Sequence, residues 1–317
     1  MITRCLIVSS PGKKGHERQA RGVAGRLGAQ STVCPANEVA ADLRLAQDHD
    51  LVLCAGRQSI PVGRQLATAR HGDRRPVVAV LQPVRWRPGA FDLMWAPAHD
   101  RARSKLIRPR AFVETLTAPC VVTRDEMAEA AKTLGETLDW GPPPHVGVLI
   151  GGKSRAHRFE KAEIEDLASR LAAFAKTHEA RLLVTTSPRS PADAAKLIRA
   201  RIGEDHLVFD PRNPGPLDPG LVYPAILGRA GTFIVTSDSF AMMSEAVFTQ
   251  KPVYGWRVPG GKPKFERFFR GLEEKGALRW FDGGLATWSY EPLDAAQTIA
   301  DALVPMLDLA SASKERI

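Results

Sequence analysis

The stretch that decides the fold is residues 231–255, GTFIVTSDSFAMMSEAVFTQKPVYG. Its first part, residues 232–235, is β-branched and aromatic and predicts a buried strand. Thr, Ser and Asp follow at 236–239, where such side chains can cap the start of a helix. The next apolar residues recur at helical spacing, and a second short strand follows. This order predicts an α/β sheet, in which ligands bind outside the carboxyl ends of the strands.

The same alternation of strands and helices runs along the whole chain and predicts parallel βα units. The predicted strands are residues 2–8, 32–34, 51–54, 77–81, 93–95 and 120–123 in the first half, and 146–150, 181–186, 207–209, 232–236 and 252–254 in the second. Predicted helices include residues 16–28, 58–71, 160–177 and 292–309, the last opened by Pro292. We therefore expect two doubly wound sheets.

The sequence Trp140-Gly141-Pro142-Pro143-Pro144 separates the two halves. Three prolines cannot continue a helix and stiffen an extended linker. We therefore predict two Rossmann-like domains, an acceptor-side domain over residues 1–141 and a nucleotide-binding domain over residues 145–317. The last helix, 292–309, is a candidate to pack back across the first domain. Such an arrangement would leave a cleft between the strand ends of the two domains.

The composition narrows the class of protein. With 317 residues, 44% hydrophobic and 25% charged, the chain can form two sizeable cores. A net charge of +9 favours phosphorylated small molecules, anionic lipid surfaces or nucleic acid, or reflects solubility alone. No basic run with interleaved aromatic residues supports nucleic acid. Four single cysteines, no apolar run of membrane-spanning length and no signal-peptide pattern predict a cytoplasmic protein, with peripheral binding at the inner membrane left open.

A Gly-rich turn follows the first predicted strand, with the sequence Pro11-Gly12-Lys13-Lys14-Gly15-His16. Glycines in a strand-to-helix turn let the backbone approach a ligand, and a helix N-terminus favours an anion. His16 can exchange a proton near neutral pH and is the candidate catalytic residue. A tight turn with solvated charges is the alternative. The candidate acceptor-side residues at strand ends of this half are Gly12, Gly15, Gln19, Arg57, Gln58, Ser59 and Gln82.

A second Gly-rich loop, Gly151-Gly152-Lys153-Ser154-Arg155, follows the first predicted strand of the second half. Counted from Gly147, its letters match the Walker A pattern of nucleotide triphosphatases. Residues 148–150 nevertheless complete an apolar strand, and helical periodicity resumes only near Ile164, so we reject that function. Glycine amides, a hydroxyl and cations at a strand end suit a diphosphate. The alternative is a charged surface loop.

Several motifs resemble, in order, those of the mitochondrial-fission "elongated mitochondria" family. Besides the two Gly-rich loops, they are residues 56–59, 91–92 with 97–100, 185–187, 236–239 and 243–246. The resemblance covers nearly the whole chain and points to the bacterial branch of the family. Some members carry the label nucleoside-diphosphate-sugar epimerase. That chemistry needs a GxGxxG loop and a Tyr followed four residues later by Lys, and none of the three tyrosines here has that Lys.

The segment around residues 237–246 is also similar to the nucleotide-binding segment of GT-B glycosyltransferases. In those enzymes a Glu on the matching helix holds the ribose hydroxyls, and small residues at the helix start hold the diphosphate. The resemblance implies the ribose role for Glu245. The candidate nucleotide- and phosphate-binding residues are Gly151, Gly152, Lys153, Ser154, Arg155, Thr186, Ser187, Ser237, Asp238, Ser239, Ser244 and Glu245.

These resemblances imply a GT-B-type glycosyltransferase that uses a nucleotide-activated sugar donor, acts on a cell-envelope glycan or glycolipid, and needs neither metal nor cofactor. The acceptor is not identified, and a lipid-linked molecule is one candidate. Peripheral contact with a membrane is left open, and we expect no nucleic-acid partner. The alternative function is a non-catalytic scaffold that binds protein partners at a membrane surface, as is thought of the plant relatives.

Overall fold

A computed structural model describes residues 3–12, 14–68, 75–84, 86–103, 110–154 and 156–312. It contains two six-stranded parallel sheets. The first sheet has the strands β1 (Arg4–Ser9), β2 (Gln30–Pro35), β3 (Leu51–Ala55), β4 (Val77–Val80), β5 (Leu93–Pro97) and β6 (Ala111–Thr115). The helices α1 (Lys14–Arg26), α2 (Ala36–Ala41) and α3 (Ser59–Thr68) connect its first strands. The predicted α/β fold class is confirmed.

The second sheet repeats this design. Its strands are β7 (His145–Leu149), β8 (Arg181–Thr185), β9 (Leu207–Phe209), β10 (Thr232–Thr236), β11 (Val253–Trp256) and β12 (Arg279–Trp280). Its helices are α4 (Arg124–Gly135), α5 (Lys161–His178), α6 (Ala194–Ile202), α7 (Pro219–Arg229), α8 (Phe240–Phe248) and α9 (Pro263–Glu274), and α10 (Ala295–Ala312) ends the described chain.

Helices cover both faces of the first sheet, because successive side chains of a strand point to opposite faces. Cys5 and Ile7 of β1 belong to a core formed with α1 and α10. Leu6 and Val8, which alternate with them, belong to a second core formed with α2 and α3. All four side chains have no exposed surface. Burial on both faces explains the unbroken apolar run that predicted this strand.

Each sheet contains one point at which the strand order changes direction. The first sheet has the order β2-β1-β3-β4-β5-β6, and the second has the order β12-β11-β10-β7-β8-β9. The order therefore reverses between β1 and β3, and between β7 and β10. In open α/β sheets, ligands bind outside the carboxyl ends of the strands at such a point. The loops after β1, β3, β7 and β10 are therefore the candidate ligand-binding loops.

The structure corrects the prediction of a strand at residues 120–123. The sixth strand is β6, and Thr123 caps α4. The Thr123 N–H donates to Glu126 Oε2 at 2.6 Å, and the Glu126 N–H donates to Thr123 Oγ1 at 3.1 Å. This capping box satisfies two backbone donors of the helix start. A short apolar run ahead of a helix was therefore misread as a strand, because four residues show no clear period.

The last helix begins at Ala295, and not at the predicted Pro292. Asp294 starts it, since the Gln297 N–H donates to Asp294 Oδ1 at 3.0 Å. Asp294 also forms a 3.1 Å ion pair with Arg26 of α1. These contacts and the burial of Ile299 and Leu303 join α10 to the core of the first sheet.

The chain divides into two compact units, residues 1–121 with 294–317, and residues 122–293. Helix α10 therefore packs with the first unit, and α4 packs with α7 in the second. A Cβ added at Gly228 of α7 would lie 2.0 Å from the carbonyl oxygen of Met127 in α4, so the two backbones are in direct contact there. The domain bounds 1–141 and 145–317 stay predictions.

Replacing Gly228 by Ala should destabilise the second unit. Alanine normally favours a helix over glycine by about 1 kcal/mol. Here the new Cβ would collide with the Met127 carbonyl oxygen. We expect the clash to lower the free energy of unfolding by about 1–3 kcal/mol. The measurement is the midpoint of urea unfolding, followed by circular dichroism.

The matched control is Gly25→Ala in α1, where the new Cβ would meet nothing within 4 Å. This variant should keep or raise the midpoint, because only the helix propensity changes. A Gly228→Ala midpoint as high as that of Gly25→Ala would contradict the close packing of α4 on α7.

Candidate functional site

The loops that follow β7 and β10 are joined by hydrogen bonds at the point where the strand order reverses. The Gly151 N–H donates to Thr236 Oγ1 at 2.8 Å, and the Gly152 N–H donates to Asp238 Oδ2 at 2.6 Å. Both glycine amides, which the sequence offered to a diphosphate, therefore have partners within the protein. The letters of a Walker A loop are present without its geometry, because Gly147 lies inside β7 and the next helix begins at Lys161.

Neighbouring atoms lie so close to Gly151 and Gly152 that neither position has room for a side chain. A Cβ at Gly151 would lie 2.1 Å from Asp238 Oδ2. A Cβ at Gly152 would lie 2.1 Å from the carbonyl carbon and oxygen of Arg189, which follows β8. Real Cβ atoms do not approach other atoms this closely, so only glycine fits at either position. The paired glycines bring the ends of β7, β8 and β10 together.

Asp238 is the buried acid of this cluster. Its side chain has no exposed surface, and Arg189 Nη2 lies 3.9 Å from its Oδ2. Oδ1 is buried and has no hydrogen-bond partner among the described residues. Burial raises the pKa of Asp238, although hydrogen bonds from Thr236 and Gly152 and the charge of Arg189 oppose the rise. A buried carboxylate repels phosphate oxygens, so Asp238 holds the loop in place and is poorly suited to touch a diphosphate.

A second buried network holds the loop after β8. The Ser190 hydroxyl donates to the carbonyls of Ile150 and Gly151, and the Ser187 N–H donates to Ser190 Oγ at 2.9 Å. Sequence reasoning missed Ser190. The only signal in the sequence was its place four residues after the predicted strand 181–186, which does not separate it from an ordinary loop serine.

Sequence reasoning also missed an ion pair that supports the same loop. Arg212 contacts Asp210 in a two-point pair of 2.9 Å and 2.8 Å, and also donates to the carbonyls of Ser190 and Pro191. Burial raises the pKa of Asp210, but the hydrogen bonds and charge of Arg212 outweigh burial, and the net pKa is lowered. A local Asp-x-Arg spacing was the only hint.

The loop around Ser154 is closed by its own hydrogen bonds. Ser154 Oγ accepts from the N–H groups of Ala156 and His157, both at 3.1 Å, and lies 3.2 Å from His157 Nδ1. Burial lowers the pKa of His157, so this buried ring favours its neutral form. Lys153 is exposed, and the Arg189 side chain is 48% exposed. These two cations are the groups here that a ligand could reach. Arg155, a predicted site residue, lies outside the described residues.

Helix α8 begins beside this cluster. Ser239 is its N-cap and accepts from the Met242 N–H at 3.4 Å, while Ser237 Oγ accepts from the Val258 N–H at 2.9 Å. The Ser244 hydroxyl donates to the Phe240 carbonyl of the same helix at 2.8 Å. Glu245 is half-buried, and its Oε2 accepts a hydrogen bond from the Tyr223 hydroxyl.

The remaining predicted donor-side residues lie at the end of β8. Thr186 and Ser187 are buried, and the Thr186 N–H donates to the Phe209 carbonyl at 3.1 Å. Their hydroxyls can still contribute to a polar surface, because a hydroxyl both donates and accepts. The structure thus gathers the ends of β7, β8 and β10, and with them most of the predicted donor-side residues, into one polar cluster.

The first sheet brings His16 to its own reversal point. Gly56, after β3, has a φ of +92°, and a Cβ there would lie 2.5 Å from Ser10 Oγ and 3.9 Å from Cγ of His16. Ser10, after β1, accepts at Oγ from the Gln58 N–H at 3.0 Å and donates its own N–H to the Ala55 carbonyl. The imidazole of His16 therefore borders the turn after β3. Ser10 was missed by sequence reasoning.

The other predicted acceptor-side residues differ in exposure. Gly12 and Arg57 are exposed, Gly15 and Gln19 lie on α1, and Gly12 has a φ of +72°. Ser59 is fully buried and donates to the Gly56 carbonyl at 2.7 Å, so it starts α3. Gln82 follows β4, and its buried Nε2 has no hydrogen-bond partner among the described residues.

Within the described ranges, no three His, Cys, Asp or Glu side chains are grouped so as to hold a metal ion. In the same part of the chain, every helix is too short or too polar to cross a bilayer.

Comparisons with known sequences identify relatives along most of the chain. The family model described as "Mitochondrial fission ELM1" matches residues 14–307. Mitochondrial fission protein ELM1 of Arabidopsis thaliana is 26% identical over 267 residues, which are 77% of this chain and 60% of that protein. The uncharacterized protein RP120 of Rickettsia prowazekii is 26% identical over 50% of this chain and 47% of its own length. The chain thus spans only part of the length of each relative. The predicted family resemblance is confirmed.

Comparisons with solved structures concern the fold. UGT89C1 of Arabidopsis thaliana, crystallised with UDP-L-rhamnose, has a TM-score of 0.54 at 11% identity, over 99% of this chain and 94% of that chain. AviGT4, a glycosyltransferase involved in avilamycin A biosynthesis, has a TM-score of 0.49 at 14% identity, over 98% of both chains. The likeness to UGT89C1 shows the fold alone, that of two Rossmann-like domains as in GT-B glycosyltransferases.

The two buried acids of the second unit should give opposite pH signatures. Because the pKa of Asp238 is raised above 3.8, the folded protein keeps this proton where the unfolded chain has lost it, and stability falls as the pH rises through that range. Asn at position 238 keeps an oxygen for the Gly152 N–H and should remove this loss. Asp238→Asn should therefore gain stability relative to the wild type as the pH rises.

Asp210 serves as the matched control because its pKa is lowered. Its contribution is present above the usual carboxyl pKa and is lost as the pH falls. Asp210→Asn should therefore destabilise the protein most at neutral pH and least in acid. The measurement is urea unfolding of the three proteins between about pH 3 and pH 7. Parallel profiles for the two variants would contradict the opposite pKa shifts.

Proposed function

The chain belongs to the mitochondrial fission ELM1 family, and within that family we propose that it is a metal-independent glycosyltransferase that uses a nucleotide-activated sugar. One observation carries this proposal. At the reversal of strand order between β7 and β10, buried hydroxyls, the start of α8 and two accessible cations, Lys153 and Arg189, come together. A nucleotide binds at such a point in open α/β sheets, and cations there suit its diphosphate.

We assign the donor to the second unit. Lys153, Arg155 and Arg189 would neutralise the diphosphate, and the start of α8 with Ser237 and Ser239 would add hydrogen-bond donors. A hydroxyl that accepts a backbone N–H keeps its own O–H for a phosphate oxygen. Glu245 would accept hydrogen bonds from the ribose hydroxyls. Gly151, Gly152 and Asp238 would give this surface its shape.

We assign the acceptor to the first unit, at the turns that border His16. In the reaction, the acceptor hydroxyl oxygen forms a bond to the anomeric carbon of the sugar, and the bond from that carbon to the diphosphate breaks. His16 would take the proton of the acceptor hydroxyl, which is general base catalysis. The electron pair leaves with the nucleoside diphosphate, whose added charge Lys153 and Arg189 would stabilise. No metal is needed where fixed cations do this.

For the acceptor, we propose a broad chemical class. A cell-envelope glycan or glycolipid, including a lipid-linked sugar, is our candidate, with the protein bound at the periphery of the inner membrane. The net charge of +9 supports contact with an anionic lipid surface.

A non-catalytic scaffold is the second candidate, and one observation favours it. The amides of Gly151 and Gly152 donate hydrogen bonds within the protein. The Ser154 hydroxyl likewise bonds to the Ala156 N–H and lies next to the His157 ring. A loop that satisfies its own polar groups can be a rigid part of a protein-binding surface without any ligand. Nucleotide binding separates the two candidates, since the scaffold needs none.

The double variant Lys153→Ala, Arg155→Ala should weaken binding of a nucleoside diphosphate by at least about tenfold, because a hydrogen bond to a charged group contributes about 1.5–3 kcal/mol. The experiment is a thermal-shift screen of nucleoside diphosphates with the four common ribonucleotide bases, followed by isothermal titration with the best one. In the wild type, ligand at about 100 times its Kd should add about 2.7 kcal/mol of stability.

The matched control is Lys196→Ala, Arg201→Ala, which removes the same charge from exposed positions of α6 in the same unit. This control should bind like the wild type. Equal affinity in both double variants would make the Lys153 loop a solvated surface. A wild type that no nucleoside diphosphate stabilises would favour the scaffold.

His16→Ala should lower turnover by about 10²–10⁴-fold while leaving donor affinity within about twofold, because general base catalysis acts on the transition state. Turnover is measured as release of nucleoside diphosphate from a panel of nucleotide sugars, and affinity by isothermal titration. The control is His49→Ala, a half-buried histidine of the same unit that lies ahead of β3, at the opposite end of the strand. Wild-type turnover in His16→Ala would show that the turn is only structural.

A further inference from the structure

Glu245 of α8 is held by a residue of the neighbouring helix. The Tyr223 hydroxyl of α7 donates to Glu245 Oε2, and both side chains are half-buried. We propose that Tyr223 is a positioning residue that aims the Glu245 carboxylate at a ribose, and so sets the preference for ribonucleotides over 2′-deoxyribonucleotides. This inference rests on the proposed nucleotide-binding function.

Both residues are placed to reach the strand ends. Helix α7 follows β9 and helix α8 follows β10, so each begins at the carboxyl edge of the second sheet. Tyr223 is the fifth residue of α7 and Glu245 the sixth of α8, about 6–8 Å from the helix start at 1.5 Å per residue. Helical side chains lean toward the N-terminus. The pair therefore points back toward the edge at which a donor nucleotide would bind.

The chemistry of the pair suits a diol. An ionised carboxylate accepts up to about four hydrogen bonds and donates none, and Tyr223 fills one of these positions. A ribose offers two hydroxyl donors on adjacent carbons. A Tyr hydroxyl donates a hydrogen bond to the carboxylate without bringing a positive charge of its own. Because a free Glu side chain has many rotamers, a fixed Tyr partner lowers the entropy that is lost when the diol binds.

Tyr223 itself stands on a helix that is fixed at its other end. Lys251 Nζ donates to the carbonyls of Leu227 and Gly228 at 3.0 Å and 2.7 Å, which caps the last turn of α7. Burial lowers the pKa of Lys251 to about 8, so the cap is charged at neutral pH. Gly228 packs directly on the backbone of α4. A binding group supported by rigid elements keeps its geometry better than one on a loop.

The experiment compares a ribonucleoside diphosphate with its 2′-deoxy counterpart by isothermal titration, using the base chosen by the screen above. The variants are Tyr223→Phe, Glu245→Gln and the two combined. The control is Tyr290→Phe, because the Tyr290 hydroxyl is also part-buried next to α8 but donates to the carbonyls of Val247 and Lys251. Thermal unfolding of each variant without ligand checks that it is folded.

We expect the wild type to prefer the ribonucleotide and Glu245→Gln to lose most of that preference. Tyr223→Phe should lower the ratio of the two Kd values by about five- to tenfold, with little change in deoxyribonucleotide affinity, the size of one well-placed hydrogen bond. The combined variant should have the same ratio of Kd values as Glu245→Gln alone, since Tyr223 acts through Glu245. Tyr290→Phe should keep the wild-type ratio.

Two results would overturn the inference in different ways. If Glu245→Gln loses the preference and Tyr223→Phe keeps it, Tyr223 has no positioning role and the proposed function stands. If the wild type binds neither nucleotide, the proposed function fails and this inference fails with it. Should Tyr223→Phe unfold, Tyr223→Leu, which also lacks the hydroxyl, takes its place in the comparison, and a wild-type ratio of the two Kd values in that variant would overturn the inference.

Discussion

The candidate site depends on the close approach of the loop after β7 to the Asp238 side chain and to the Arg189 backbone. The loop after β7 lies so near Asp238 and Arg189 that neither Gly151 nor Gly152 could carry a Cβ. This approach lets the Gly152 N–H reach the Asp238 carboxylate at 2.6 Å and the Gly151 N–H reach Thr236. Parallel strands on their own leave their terminal loops separate. The paired glycines join the loops after β7, β8 and β10 into a single surface.

The same solution occurs in the first sheet with different residues. There the loop after β3 turns at Gly56, with a positive φ, directly against Ser10 after β1. In both sheets, a glycine stands where the strand order reverses and where two strand-end loops must meet. The physical reason is shared, because the space that a Cβ would need is occupied by a side chain of the other loop, Ser10 at Gly56 and Asp238 at Gly151.

The polar groups of the site have two different roles, support of the loops and contact with a ligand. Buried and half-buried groups, such as Asp238, Ser190 and Ser154, form hydrogen bonds to the backbone of the loops and hold the loops in place. The exposed cations Lys153 and Arg189 then stand on a fixed surface. Such preorganisation lowers the entropy that ordering a loop around an anionic ligand would otherwise cost. The amides of Gly151 and Gly152, which the sequence offered to a phosphate, instead bond within the protein and support the site.

The sequence by itself determined the family and the α/β class, and it located most elements well, with β9 and β10 predicted to the residue. Strong periodicity and capping residues are local signals. It failed at 111–123, where a short apolar run before a capped helix resembles a strand. Only the tertiary structure decided the strand order, and with it the partners of Gly152, Ser190 and Tyr223. Those contacts join residues that are far apart in the chain, 86 positions in the case of Gly152 and Asp238. No local pattern encodes such a pairing, because it forms only when parallel strands meet in the folded sheet.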